Sequence, residues 1–216
     1  SALEVLSSAS NAMTYRVTIP EGYRAVQIFD ELSKISGIPA AEFRSAAEDL
    51  VGLGIPSEAP TIEGYLFPAT YSFDTEASAL EMIQAMVSRM KQELERLGVD
   101  KDNWHSVLTL ASIVQREAKL EADFYKVSRV FANRIAIDMK LETDPTISYS
   151  YSGKDMSDLS REKQLEHGYN TYLIEGLPPG PIASPGSLAL EATLNPVEGD
   201  WLFFVTINLE SGETKF

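Results

Sequence analysis

A carboxylate stands on the apolar side of a helical pattern at Glu117. Over Trp104 to Arg134 (WHSVLTLASIVQREAKLEADFYKVSRVFANR), Val107, Leu110, Ala111, Val114 and Ala118 recur at helical spacing. Each residue advances about 100°, so positions three, four and seven apart share a face. Glu117 lies seven after Leu110, four after Ile113 and three after Val114, so it falls on that face, while Gln115 points to the other side. Apolar neighbours solvate a carboxylate poorly, which disfavours the ionised form and raises the pKa. That is how a Glu becomes a proton donor near neutral pH. The same placement also fits two plainer roles, the edge of the stripe or an ion pair with Lys or Arg.

Other residues could join such a donor. Glu121 comes one turn after Glu117 and Asp123 follows; each is either a second carboxylate or a solvated helix-end acid. Asp144 precedes Pro145 and reads as a turn or cap acid, or as part of a cleft. Glu63, before Gly64, has the same two readings. Tyr149, Tyr151, Asn170 and Tyr172 are types that stack on and hydrogen-bond to sugars, and equally types that plug a core. The segment Gly176 to Gly186 (GLPPGPIASPG) carries four prolines and three glycines in eleven residues. It can be neither helix nor regular strand, and serves as a stiff cleft wall or a plain connector.

Composition removes several classes of function. The 216 residues hold 44% hydrophobic and 23% charged side chains, an ordinary globular mix with room for one large domain or two small ones. The net charge of -14 and the pI near 4.5 disfavour nucleic acids and anionic lipid surfaces, which are polyanions. With no cysteine, there is no disulfide, thiol nucleophile or Cys-bound zinc. His105 and His167 lack metal-ligand spacing, and no Gly-rich phosphate loop appears, so neither a metal nor a cofactor is expected. No apolar run approaches the length that spans a membrane. The chain opens in a helix-like pattern at Ser1 to Ser7 and stops in a strand-like one at Thr214 to Phe216, as a piece of a longer protein does.

The elements that must position these residues read as follows. Residues 14 to 19 alternate as a strand, Arg24 to Ser36 and Ala40 to Leu50 as helices, and Tyr65 to Phe73 as an extended stretch. That order describes a small paired-strand module with two helices on one side. A long amphipathic helix covers Thr75 to Leu97, with a capping-box look at Thr75, and Gly98 stops it. Asp102 or Asn103 caps the Glu117 helix, and helix continues over Phe124 to Ile137. Ser152 to His167 reads as a polar surface excursion, Ser187 to Leu194 as a helix, and Trp201 to Asn208 as a buried strand.

Five motifs together carry a resemblance: EGYLFP (Glu63 to Pro68), LASIVQREA (Leu110 to Ala118), VFANR (Val130 to Arg134), TDPT (Thr143 to Thr146) and YNTYLIEGLPPGPIASPG (Tyr169 to Gly186). In this order they resemble the YceG-like family, the MltG-type endolytic murein transglycosylases of bacteria. The resemblance implies an α+β fold in which a small LysM-like βααβ module (residues 1–74) joins a mixed helix and strand catalytic domain (residues 75–216) that runs on past Phe216. It implies an enzyme that cuts peptidoglycan glycan strands internally and leaves 1,6-anhydroMurNAc ends. It places that enzyme on the outer face of a bacterial plasma membrane, held by one N-terminal anchor helix upstream of Ser1, and leaves cell-wall synthases open as partners. The family's catalytic Glu falls on Glu117, and Gln115 stands where the family has a first Glu. Glu63, Asp144, Tyr149, Asn170 and Tyr172 are the expected substrate-binding residues. A non-catalytic peptidoglycan-binding module is the alternative from another class.

Overall fold

The computed structural model describes residues 14–150, 166–208 and 211–216. Tyr151, residues 152–165 of the excursion expected over Ser152 to His167, and the opening helix-like pattern lie outside them. Strand β1 (Thr14–Thr18) pairs antiparallel with β2 (Thr70–Asp74), from Thr14 opposite Asp74 to Thr18 opposite Thr70. Between them lie α1 (Ala25–Ser36) and α2 (Ala40–Ala46). The expected strand, helix, helix, strand order is therefore present. Gly37 ends α1 with φ +74 and donates its N–H to Ser33, the left-handed cap that glycine adopts without a Cβ clash. The extended stretch shortens to β2, because residues 61–69 turn inward and bury Tyr65 and Leu66.

Helix α3 (Ala79–Arg96) begins later than its sequence pattern suggests. The capping box is built from Ser78 and Glu81: Glu81 Oε2 accepts the Ser78 N–H at 2.8 Å, and Ser78 Oγ accepts the Glu81 N–H at 3.3 Å. Its methionines Met82, Met86 and Met90 are fully buried in the core. Helix α4 (Trp104–Glu117) is entered through a 3-10 turn at Lys101–Asn103, with no side-chain cap from Asp102 or Asn103. Helix α5 (Glu121–Ala136) is a separate element, since Ala118 is extended (φ -80, ψ 140) and breaks the run. Glu121 accordingly lies at the exposed start of α5, not one turn further along a shared face with Glu117. Asp123, also in the first turn of α5, is buried.

Helix α6 (Asp144–Ser150) starts at the Asp-Pro pair, and α7 (Ser187–Leu194) packs its small residues on α4 and α5. The stretch 201–208 is not a buried strand. Only β3 (Val205–Thr206) pairs, with β4 (Thr214–Lys215), and Phe203, Val205 and Ile207 are exposed. Side chains of α5 take up backbone carbonyls before and at the start of this stretch: Arg129 donates to Pro196 and Val197, Asn133 to Gly199 and Trp201, Arg134 to Leu202. A backbone satisfied by side-chain donors needs no ladder partner.

The second half of the Pro-Gly segment is core. Residues 180–186 are all buried. Ile182 donates to Ser112 Oγ (3.0 Å), Gly186 to Gln115 Oε1 (2.9 Å), and Ser184 exchanges backbone bonds with Gly22 and Tyr23. His105 Nε2 lies 2.8 Å from the Pro179 carbonyl, which only accepts, so that nitrogen carries the proton. Its Nδ1 then accepts from the Tyr65 hydroxyl at 2.9 Å. One hydrophobic core runs continuously from Val17 to Ala192.

Candidate active site

Glu117 is the last residue of α4, and its carboxylate meets the turn that leads into α6. Thr143 Oγ1 donates to Glu117 Oε1 at 2.6 Å. Thr143 is itself 2% exposed and is fixed from behind. Its N–H donates to Thr171 Oγ1 (3.0 Å), its carbonyl accepts from Thr146 Oγ1 (2.8 Å), and the Thr146 and Thr171 hydroxyls lie 2.9 Å apart. Asp144 follows directly, and its Oδ1 accepts from the Tyr172 hydroxyl at 2.5 Å. Glu117, Asp144 and Tyr172 line one cleft of about 270 Å³, whose walls include Phe131, Arg134 and residues 204–206.

Electrostatics raise the pKa of Glu117. Burial pushes its pKa above the ordinary carboxylate value. The Thr143 hydrogen bond opposes that shift, the negative Asp144 adds to it, and Arg116 opposes it weakly. The C-terminal end of a helix carries partial negative charge, a further reason for the proton to stay. The opposite face of α4 does different work: Gln115 holds the Gly186 N–H.

The other expected binding residues are placed elsewhere. Glu63 is 5% exposed and accepts the Ala25 N–H at 2.8 Å, which satisfies the start of α1. Burial drives its pKa up to about 7, against the bonds from Ala25 and Gly64 and the charge of Arg24. It lines a second groove of about 390 Å³ with Tyr149, Phe29 and Arg44. Tyr149 carries Arg24 over its ring at 4.4 Å and leans on Tyr169. Asn170 is fully buried, and its Oδ1 accepts the Tyr172 N–H at 3.1 Å, so it orients Tyr172 from behind. Helix α6 joins the two regions, with Asp144 at the cleft and Tyr149 at the groove.

Several cleft residues escape a reading by residue type. Thr143 is conspicuous only within TDPT. Glu142 lines the cleft with φ +49, a left-handed conformation that costs a non-glycine residue about 1–3 kcal/mol. The Thr171 carbonyl holds its N–H at 3.0 Å, and its carboxylate lies 3.5 Å from Arg134. Arg134 is 6% exposed and donates to the Leu141 and Leu202 carbonyls at 2.9 and 2.7 Å, which ties the two walls together. Among the described residues, no group of three His, Asp or Glu side chains could hold a metal ion, and no helix is long and apolar enough to cross a membrane.

The model of the YceG-like family matches residues 1–216. The chain belongs to the YceG-like family. A relative from Bacillus subtilis (strain 168), named endolytic murein transglycosylase, is 30% identical over 234 residues, covering 99% of this chain and 64% of the relative. One of the same name from Streptococcus pneumoniae (serotype 2, strain D39) is 30% identical over 219 residues, covering 88% of this chain and 40% of the relative. The chain thus spans less than two thirds of the length of either. The 2.6 Å crystal structure of a yceG-like protein from Listeria monocytogenes aligns with a TM-score of 0.78 at 29% identity, over 100% of this chain and 76% of that one. The mixed helix and strand architecture is therefore a YceG-like fold, and the Glu117 cleft lies inside the part that the family shares.

Proposed function

We propose that this chain is the cutting part of an endolytic peptidoglycan lytic transglycosylase, with Glu117 as its one acid and base. The observation that carries this is the Glu117 carboxyl, its pKa raised by burial, held by Thr143 at the wall of an open cleft. The names of the two relatives support the reaction class and the substrate.

The chemistry needs no second carboxylate. Glu117 gives its proton to the oxygen of the β-1,4 link between MurNAc and GlcNAc as the C1–O bond breaks. The GlcNAc half leaves with that proton as a 4-hydroxyl. The C6 hydroxyl of the same MurNAc attacks C1 and closes a 1,6-anhydro ring, and its proton returns to the Glu117 carboxylate. Glycosidases that hydrolyse the link use two carboxylates and water instead. Tyr172 and Asp144 meet the sugar at the cut, and Asn170 sets Tyr172 from behind. The βααβ module (residues 1–74) acts as a LysM-like strand-binding half for residues 75–216, with Glu63 and Tyr149 in the groove between α1, α2 and α6. The outer face of a bacterial plasma membrane, and cell-wall synthases as partners, come with the family resemblance.

Purified sacculi test the enzyme against the binding module. An enzyme releases soluble muropeptides with time. A chain that sediments with sacculi and releases nothing is the binding module, and the proposal falls.

A further inference from the structure

The residue next to the proposed acid is a threonine with a single hydroxyl proton to give. Thr143 Oγ1 gives it to Glu117 Oε1 at 2.6 Å. Its backbone on both sides is locked into the buried Thr146 and Thr171 hydroxyls. With Oε1 engaged as an acceptor, the carboxyl proton belongs on Oε2. Asp144 then faces the same cleft, and Tyr172 holds its Oδ1 at 2.5 Å. The two consecutive residues sit at the start of α6, and both are gripped by the segment 170–172.

We propose that Thr143 and Asp144 are a positioning pair for Glu117: Thr143 selects Oε2 as the atom that presents the proton, and Asp144 supplies the fixed negative charge that keeps the proton in place until substrate arrives. This rests on Glu117 being the acid. The pair acts on the acid in opposite senses. The Thr143 hydrogen bond stabilises the ionised carboxylate, while the Asp144 charge destabilises it. The other charged or titratable groups around the acid are Arg116 on its own helix, Arg134 on α5, Glu142 on the turn and Tyr172. All four stay unchanged in the variants below.

The test is the pH profile of cleavage on soluble, uncrosslinked glycan strands for four chains: the parent, Thr143→Val, Thr143→Ser and Asp144→Asn. A general acid must be protonated, so the rate falls as pH rises through its pKa. Thr143→Val removes the bond to the ionised form, so the alkaline limb moves to higher pH while kcat drops about tenfold or more from lost orientation, with KM little changed. Thr143→Ser keeps the hydroxyl and restores the parent profile. Asp144→Asn removes the charge and moves the limb to lower pH, with kcat down about tenfold. Opposite displacements with serine rescue support the pair. Limbs that stay put, or move the same way, overturn it while leaving Glu117 as the acid. A Glu117→Gln chain that still cleaves overturns the underlying reading instead. If Thr143→Val fails to fold by circular dichroism, the Asp144→Asn limb decides alone, and a limb that does not move down sinks the proposal.

Discussion

Glu117 and Glu63 are two carboxylates whose pKa burial raises, in different surroundings. Glu63 lies at the N-terminus of α1, where a backbone N–H and the partial positive charge of the helix take up its oxygen. Glu117 lies at the C-terminus of α4, where the helix end offers no donor and a side-chain hydroxyl holds one oxygen only. One carboxyl closes a gap in the backbone hydrogen bonding. The other keeps an oxygen for the cleft. A raised pKa therefore does not by itself single out a candidate acid; the partner that holds each carboxyl and the side it opens to separate the two.

The largest effect separates the two directly. Glu117→Gln keeps the shape and the acceptor for Thr143 but has no proton to transfer, so release from sacculi should fall at least about 10²-fold. Its melting temperature should hold or rise, because the amide cannot ionise where burial disfavours a charge. Glu63→Gln keeps an acceptor for the Ala25 N–H and a polar group in the groove, so release should stay within a few-fold of the parent in the same assay. Equal losses in the two variants would erase the distinction.

Stability reverses the order. The folded pKa of Glu63 is about 7, above its ordinary value of 4.5, so its stabilisation is full below pH 4.5 and is lost as pH rises to about 7. Above that window the buried charge costs up to about 3 kcal/mol. Urea unfolding at pH 8 should show Glu63→Gln more stable than the parent, with the gain shrinking towards pH 5. A gain independent of pH would mean that Glu63 does not titrate on folding.

The smallest effect concerns the far face of α4. Gln115→Ala loses the bond to Gly186 and should cost about 1 kcal/mol with activity kept. Gln115→Glu still offers an acceptor there and should change activity little. Selective loss of activity in a folded Gln115→Ala chain would give that face a part in the chemistry.

Glu117 was legible because helical spacing alone puts it on the apolar side, and the βααβ order because Gly37 and Pro39 punctuate it. The gap between α4 and α5 was not, since residues 118–120 contain neither Gly nor Pro and the apolar pattern runs through them. The strand expected over 201–208 failed for a reason outside its own residues, as Asn133 and Arg134 take the carbonyls of Trp201 and Leu202 at its start. Asp144 and Tyr172 were both named, yet their 2.5 Å bond joins residues far apart in sequence. The left-handed Glu142 leaves no mark in residue type at all. What the sequence shows least is which donors meet which acceptors across the fold.

The central claim is that one carboxyl cuts the strand without water. Digestion of purified sacculi in H₂¹⁸O, followed by mass spectrometry of the new ends, tests it most directly. The account predicts 1,6-anhydroMurNAc ends without solvent ¹⁸O. Reducing MurNAc ends carrying ¹⁸O, about 20 mass units heavier than the anhydro form, would contradict it and demand a second carboxylate.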